Sequence, residues 1–211
     1  MTTRDAILAR IRAQKSAEKP YPGSGPSPKR GQVSGEERKA LFVRMAEAAA
    51  ASVDRAASRA EVPALIARFL SRHNLPAMLR LAPDPRVTEL DWASQPLLET
   101  SVGGTDGSHP TSVTGAFAGI AETGTLALTS SATGPTLLNF LPETHIAIVD
   151  AKELAGSYED LWARLKAEYG ADMPRTLNLV TGPSRSGDIE QTILMGAHGP
   201  KRLHIILVDD S

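Results

Sequence analysis

Four short stretches of this chain gather residue types that can do chemistry. Glu122-Thr123-Gly124-Thr125 sets a carboxylate among hydroxyls and a glycine, a grouping suited to acid-base or nucleophilic work. Ser130 and Ser131, with Thr133 and Gly134 after them, offer hydroxyl and backbone donors just past an apolar run. Gly182-Pro183-Ser184-Arg185-Ser186-Gly187-Asp188 combines small residues and hydroxyls with a guanidinium, and its free N–H groups at a helix start would hold a phosphate or carboxylate. His198-Gly199-Pro200 follows, with an imidazole within reach of the same region.

Each stretch also has a purely structural reading. Read as a helix, Ala116 to Ala121 would leave the Glu122 carboxylate at the unfavourable end of a macrodipole, so Glu122 needs either a chemical role or a compensating partner. Glu122 is therefore the candidate catalytic residue, against an ion pair or a loop hydrogen bond. Ser130 and Ser131 also suit an ordinary turn. Ser184 and Ser186 can do the same, Asp188 reads more naturally as a helix cap, and Arg185 can pair with a nearby acid. Gly199 and Pro200 are standard helix stops, with Lys201 and Arg202 complementing the dipole. His145 and His204 lie in or beside apolar runs and read as core or sheet-end residues.

The elements that must position these residues follow from periodicity. Ile7, Leu8 and Ile11 share a face of a short first helix. Lys19 to Gly31 is crowded with Pro and Gly and reads as a flexible arm, so residues 1–33 form a helix and arm and 34–211 the α/β domain. Ser34 and Glu37 have capping-box spacing and open a long helix through an Ala-rich stretch; Pro63 starts a second, with Leu65, Ile66, Phe69 and Leu70 inward. Residues 77–81 suggest a first strand. Thr125 to Thr129, His145 to Val149, Thr176 to Thr181 and Leu203 to Val208 are short apolar runs, as in strands buried on both faces. Helices are expected between the last three, one opened by Ser157 and Asp160 and one by Asp188 and Gln191. This alternation predicts a mostly parallel sheet with flanking helices and an N-terminal helical extension. In such sheets ligands bind beyond the carboxyl ends of the strands, which places the loops after Thr129 and Thr181 at the site.

Composition narrows the function. A chain of 211 residues with 41% hydrophobic and 22% charged residues is ordinary globular material. A net charge of -1 gives no field for nucleic acid. Met1-Thr2-Thr3-Arg4-Asp5 has an early acid and no apolar region, and no stretch approaches the ~20 apolar residues of a membrane span, so a cytoplasmic protein without membrane insertion is expected. There is no cysteine, which removes thiolate catalysis and a cysteine-ligated iron-sulfur cluster from this chain's own repertoire. The five histidines show neither HExxH nor close pairs, so no metal is indicated. No GxGxxG or GxxxxGK[ST] pattern joins a strand to a helix, and no cofactor is expected.

The segments Gly119-Ile120-Ala121-Glu122-Thr123-Gly124-Thr125-Leu126, Leu141-Pro142-Glu143-Thr144-His145-Ile146 and Gly182-Pro183-Ser184-Arg185-Ser186-Gly187-Asp188-Ile189-Glu190, then His198-Gly199-Pro200, resemble in order and spacing the signature of the LUD-domain family, in its lactate-utilisation protein C branch. The resemblance implies a fold like the NagB/RpiA/CoA-transferase group and a part in oxidising L-lactate to pyruvate beside iron-sulfur partner subunits. It departs at Ser186-Gly187, where the family usually has Thr-Ala, and the glycine loosens a helix start by about 1 kcal/mol. Glu122-Thr123-Gly124 is also similar to the short motif that carries the catalytic glutamate of CoA-transferases. The resulting expectations are a lactate-oxidising subunit that binds a small carboxylate or other anion, or else an acyl/CoA-transferase-like or ligase-like enzyme using Glu122, or else a non-catalytic assembly or regulatory module.

Overall fold

The computed structural model describes residues 3–15, 29–187, 193–196 and 198–210. In chain order its elements are α1 (Thr3–Lys15), α2 (Gly35–Ala48), β1 (Ser52–Ser58), α3 (Val62–Arg72), β2 (Met78–Leu81), α4 (Pro85–Thr88), β3 (Glu99–Val102), β4 (Thr111–Gly115), β5 (Ala118–Ile120), β6 (Thr125–Thr129), β7 (Thr144–Asp150), β8 (Leu154–Ala155), α5 (Tyr158–Tyr169), β9 (Leu177–Val180), β10 (Arg185–Gly187), β11 (Ile193–Met195) and β12 (Arg202–Asp210). Six strands form a central sheet in the order β1-β12-β7-β4-β2-β3, and every neighbouring pair is parallel. The mostly parallel sheet read from the sequence is thus present. All seven residues of β7 are buried, which is why that run carries no polar alternation.

Alternate residues of the central strands feed two cores. On one face Ile146, Ile148, Ile206 and Val208 meet Val62, Ile66, Phe69 and Leu70 of α3. On the other, Ala147, Val149, Leu203, Ile205 and Leu207 meet Leu41, Phe42 and Ala46 of α2 together with Leu126 and Leu128 of β6. β6 belongs to a second sheet, ordered β8-β5-β6-β9. Its far side, including Ala118, Ile120 and Ala127, packs on Leu161 and Leu165 of α5. The layers therefore run α3, central sheet, α2 with the second sheet, and α5.

Several expectations need correction. Thr125 to Thr129 and Thr176 to Thr181 supply β6 and β9, which pair antiparallel in the second sheet rather than joining the parallel one. Ala116 to Ala121 is not a helix, since Ala118–Ile120 is β5, paired with both β6 and β8. The start of the helix expected from Asp188, with Asp188 and Gln191, lies outside the described residues, and Ile193, placed inside that helix, belongs instead to β11, which pairs antiparallel with β10. The long helix from Ser34 stops at Ala48 without a glycine or proline. Ala50 takes φ 66° there, and Ala50 N–H and Ala51 N–H close back on Glu47 O and Ala46 O, a Schellman stop in which alanine stands where glycine is usual. Ser34 caps that helix by backbone position only, with no side-chain bond. Ser157 and Asp160 do form the capping box of α5.

Two glycines let α2 approach the second sheet. Gly124 has φ 67°, and a Cβ on it would stand 2.1 Å from Ala46 N; Gly182 has φ 73°, and its Cβ would stand 2.0 Å from Ala49 O. Both lie against the carboxyl end of α2. Gly170, with φ 54°, has nothing near its Cβ position. Left-handed strain and overpacking add at Gly124. Gly124→Ala is thus expected to lower unfolding free energy in urea by about 3 kcal/mol, and Gly170→Ala by only about 1 kcal/mol. Equal losses would mean that close approach to α2 contributes nothing.

Candidate functional site

The strand directions decide which end of the molecule each motif occupies. α2 leads directly into β1, so its carboxyl end lies at the amino rim of the parallel sheet. Gly124 and Gly182 touch that end, and the Arg185 guanidinium donates to Ala49 O at 3.4 Å. The loop after Thr181 therefore sits at the amino rim, because β9 does not belong to the parallel sheet. β6 and β9 pair antiparallel in the second sheet, so the rule that places ligands at the carboxyl ends of parallel strands does not extend to them.

Within this region a hydroxyl cluster joins the first and third motifs. Thr125 Oγ1 lies 2.7 Å from Thr123 Oγ1, 3.1 Å from Tyr158 OH and 2.6 Å from Thr181 Oγ1. Three contacts match the capacity of one hydroxyl to donate once and accept twice. The Glu122 junction and Thr181, the residue before the Gly182–Arg185 turn, thus share one neighbourhood. Their charged groups, however, have separate partners. Glu122 is buried at 7% exposure, and its Oε1 accepts from Tyr158 N–H at 3.0 Å. Tyr158 opens α5, so the carboxylate stands at the favourable end of a helix dipole. The expected conflict with a helix carboxyl end does not arise.

Ser130 and Ser131 lie at the opposite end of β6. Ser130 Oγ accepts from Thr176 N–H at 2.9 Å, and Ser131 Oγ accepts from Gly134 N–H at 2.8 Å. Thr129, Thr133 and Gly134 there enclose, with Ala82, Asp84 and Gly115, a void of about 10 Å³, room for a single water. This is the carboxyl rim of β2 and β4. Asp84 holds Arg86 through Nη2 at 2.6 Å, and Asp150 holds Arg59 at 2.6 Å. Arg59 Nη1 donates to Arg86 O, and Arg86 Nη1 to Ala116 O. These ion pairs tie the ends of four strands to one another.

A cleft opens at the amino rim, between the central sheet and β9. A cavity of about 250 Å³ is lined by Asn139, Phe140, His145, Leu179, Thr181, Gly182, Ser184, His198 and Leu203, among others. A second, of about 500 Å³, shares Phe140, His198 and Gly199 and adds Glu143 and Lys201, which are ion-paired at 2.6 Å. Backbone bonds from Ser184 N–H to Pro200 O and from Gly196 N–H to Ser184 O fix the wall. Of the residues singled out in the sequence, Gly182, Ser184 and His198 line this cleft. Arg185 turns to α2, Ser186 is the strand partner of Leu194 in the β10–β11 pair, and Asp188 lies outside the described residues. Among the described residues no group of three or more His, Asp or Glu is arranged to hold a metal ion, and no helix is long and apolar enough to cross a membrane.

The sequence reading missed His145 and Asn139. His145 is fully buried, its Nε2 lies 2.8 Å from Thr114 Oγ1, and its Nδ1 has no partner. The available signal was a lone imidazole in an otherwise apolar strand. Burial pushes its pKa down from 6.5 to about 4. His204, stacked on Phe69 at 3.9 Å with Nδ1 on Ser52 Oγ, is also pushed down by burial to about 4, against a smaller opposing pull from Asp54.

With the geometry in view, comparison with known proteins is decisive. The family model of the LUD domain matches residues 39–208. The chain belongs to the LUD domain family. Lactate utilization protein C of Geobacillus thermodenitrificans is 38% identical over 93 residues, covering 43% of this chain and 39% of that protein. The protein of the same name from Macrococcus caseolyticus is 36% identical over 93 residues, 43% of this chain and 40% of its own length. These alignments therefore span less than half of either partner. A crystal structure of a DUF162 family protein from Deinococcus radiodurans superposes with TM-score 0.61 at 22% identity, covering 83% of this chain and 99% of that one. It shares the fold of this LUD chain.

Both buried histidines are neutral in the fold and free to protonate once unfolded. The unfolded chain of this LUD protein therefore binds more protons below pH 6.5, so stability is complete above that pH and falls as pH drops towards 4. The slope is about 1.4 kcal/mol per pH unit for each histidine. Urea unfolding between pH 6.5 and 5, above the range in which ordinary carboxylates titrate, should show this loss, and His204→Gln should halve it. A flat profile would contradict the burial of these rings.

Proposed function

We propose that this chain is a cytoplasmic component of a system that oxidises L-lactate to pyruvate, working beside iron-sulfur partner subunits. The observation that carries this reading is the match, within a LUD domain, to relatives named lactate utilization protein C at 36–38% identity. The residue content agrees with it. Without cysteine in its 211 residues, the chain has no ligands for a cysteine-bound cluster, and electron carriage falls to partners. Its own part is to hold a small carboxylate in the amino-rim cleft, where Ser184, His198 and the backbone of Gly182 supply polar contacts within walls formed by Phe140, Leu179 and Leu203. A few placed polar groups in an apolar setting is the usual composition of a small-ligand site.

A second reading is a stand-alone acyl- or CoA-transferase-like enzyme using Glu122, favoured by the burial of that carboxylate beside the Thr123, Thr125 and Tyr158 hydroxyls. One experiment separates the two. Lactate-dependent reduction of an electron acceptor is followed with the purified iron-sulfur partners, with and without this chain, and with Glu122→Gln in its place. Glutamine keeps an oxygen to accept from Tyr158 N–H, so the fold survives while a nucleophilic or acid-base carboxylate is lost. The subunit reading predicts that activity requires the chain and that Glu122→Gln retains it within about threefold, a difference of under ~1 kcal/mol. Full activity without the chain removes the subunit reading, and loss of a measured acyl transfer in Glu122→Gln alone favours the second.

A further inference from the structure

His145 is the deepest polar group of the cleft. It occupies the second position of β7, on the face turned to α2 and the second sheet, and on neighbouring β4 Ser112 pairs with it in register and Thr114 carries the hydroxyl it meets. Its Nε2 is matched to Thr114 Oγ1, leaving Nδ1 as a buried polar atom with no protein partner. Such atoms are rare because each forgoes a hydrogen bond that water supplied in the unfolded chain. Asp54 Oδ2, Thr111 Oγ1, Asn178 Nδ2 and His204 Nε2 are likewise buried without a hydrogen-bond partner, so the unpaired atom alone does not single out His145; its position does. His145 is the one that also lines a cavity of about 250 Å³, with Asn139, Ser184 and His198 around it. That volume is just below the ~300 Å³ at which ligand pockets usually begin, and suits a metabolite of few atoms.

We propose that His145 Nδ1 is the ligand-binding group at the floor of this cleft and that it pairs with the hydroxyl or carbonyl oxygen of a small 2-hydroxy or 2-oxo acid. The assignment deepens the lactate reading and rests on it for the ligand class, though not for the position of the site. A neutral imidazole offers two tautomers. With the proton on Nε2 donated to Thr114 Oγ1, bare Nδ1 accepts from a ligand hydroxyl. With Thr114 donating to Nε2, Nδ1–H donates to a ketone oxygen. A change of imidazole tautomer, the proton leaving one ring nitrogen as the other gains one while the threonine hydroxyl turns to match, therefore fits the floor to either partner without a change of charge. Because Nδ1 is shielded from bulk water, the bond forms in a low-dielectric setting, where it is stronger than in solution. A ligand reaches it by small side-chain shifts of the kind that commonly accompany binding.

The test is nitrogen NMR on the intact chain labelled with ¹⁵N-histidine, titrated with L-lactate and separately with pyruvate. The expected result is a saturable shift of His145 Nδ1 with at least one acid while His204 Nδ1, already paired with Ser52, stays fixed. Calorimetry on His145→Leu should show binding weakened about tenfold, the loss of one buried hydrogen bond. Binding that leaves His145 Nδ1 unmoved would overturn the assignment while leaving the lactate reading intact, since that reading stands or falls in the reconstituted assay. An Nδ1 signal that is already hydrogen-bonded in the free protein and indifferent to both acids would mean an ordered water only, and would also overturn it.

Discussion

The close contact between the carboxyl end of α2 and two left-handed glycines holds the molecule's two sheets together. Gly124 comes from the start of β6 and Gly182 from the end of β9, strands that are antiparallel neighbours, so both clamp the same helix end from one edge of the second sheet. Neither could carry a side chain without displacing helix backbone. Gly124 meets Met45 and Ala46, and Gly182 meets Ala49, which caps α2 and whose carbonyl also receives the Arg185 guanidinium, a cation at the negative end of a helix dipole. Once α2 is fixed against the second sheet, Leu126 and Leu128 reach the central sheet across a shared core. The cleft is the space left at one end of that core.

The motifs prominent in the sequence thus have a large architectural component. The glycines of the Glu122 and Ser184 segments answer to helix packing. Thr125 links β6 to α5 and β9 through one hydroxyl, and Glu122 and Asp160 together supply carboxylates to the first turn of α5. On the other side of the same turn Ser184 and His198 line the cavity that also takes in His145 of β7.

Legibility varied with the kind of signal. β7 and β12 were plain because a strand buried on both faces must be apolar throughout. β4 was invisible because three of its four buried positions are Thr111, Ser112 and Thr114, whose polarity imitates a loop; Ser112 and Thr114 tolerate burial by finding Leu138 O and His145. β1 went unread because the stop of the preceding helix is an alanine in a left-handed conformation, where glycine is the usual mark. The loops at Thr129 and Thr181 were correctly seen to follow strands. Period and composition do not reveal which sheet a strand joins, so the end of the molecule they occupy was not readable. His145 was weighed as a core residue, which it is; its unpaired Nδ1 depends on neighbours more than thirty positions away.

The central claim is that the space between β7 and the Thr181–Ser184 turn, at the amino rim of the parallel sheet, is where this LUD domain takes its small acid. A crystal structure with L-lactate or pyruvate soaked in decides it most directly. The account predicts density for the acid within hydrogen-bonding distance of His145 and Ser184. Density instead against Arg59 and Arg86 at the carboxyl rim, with the cleft holding only water, would contradict it.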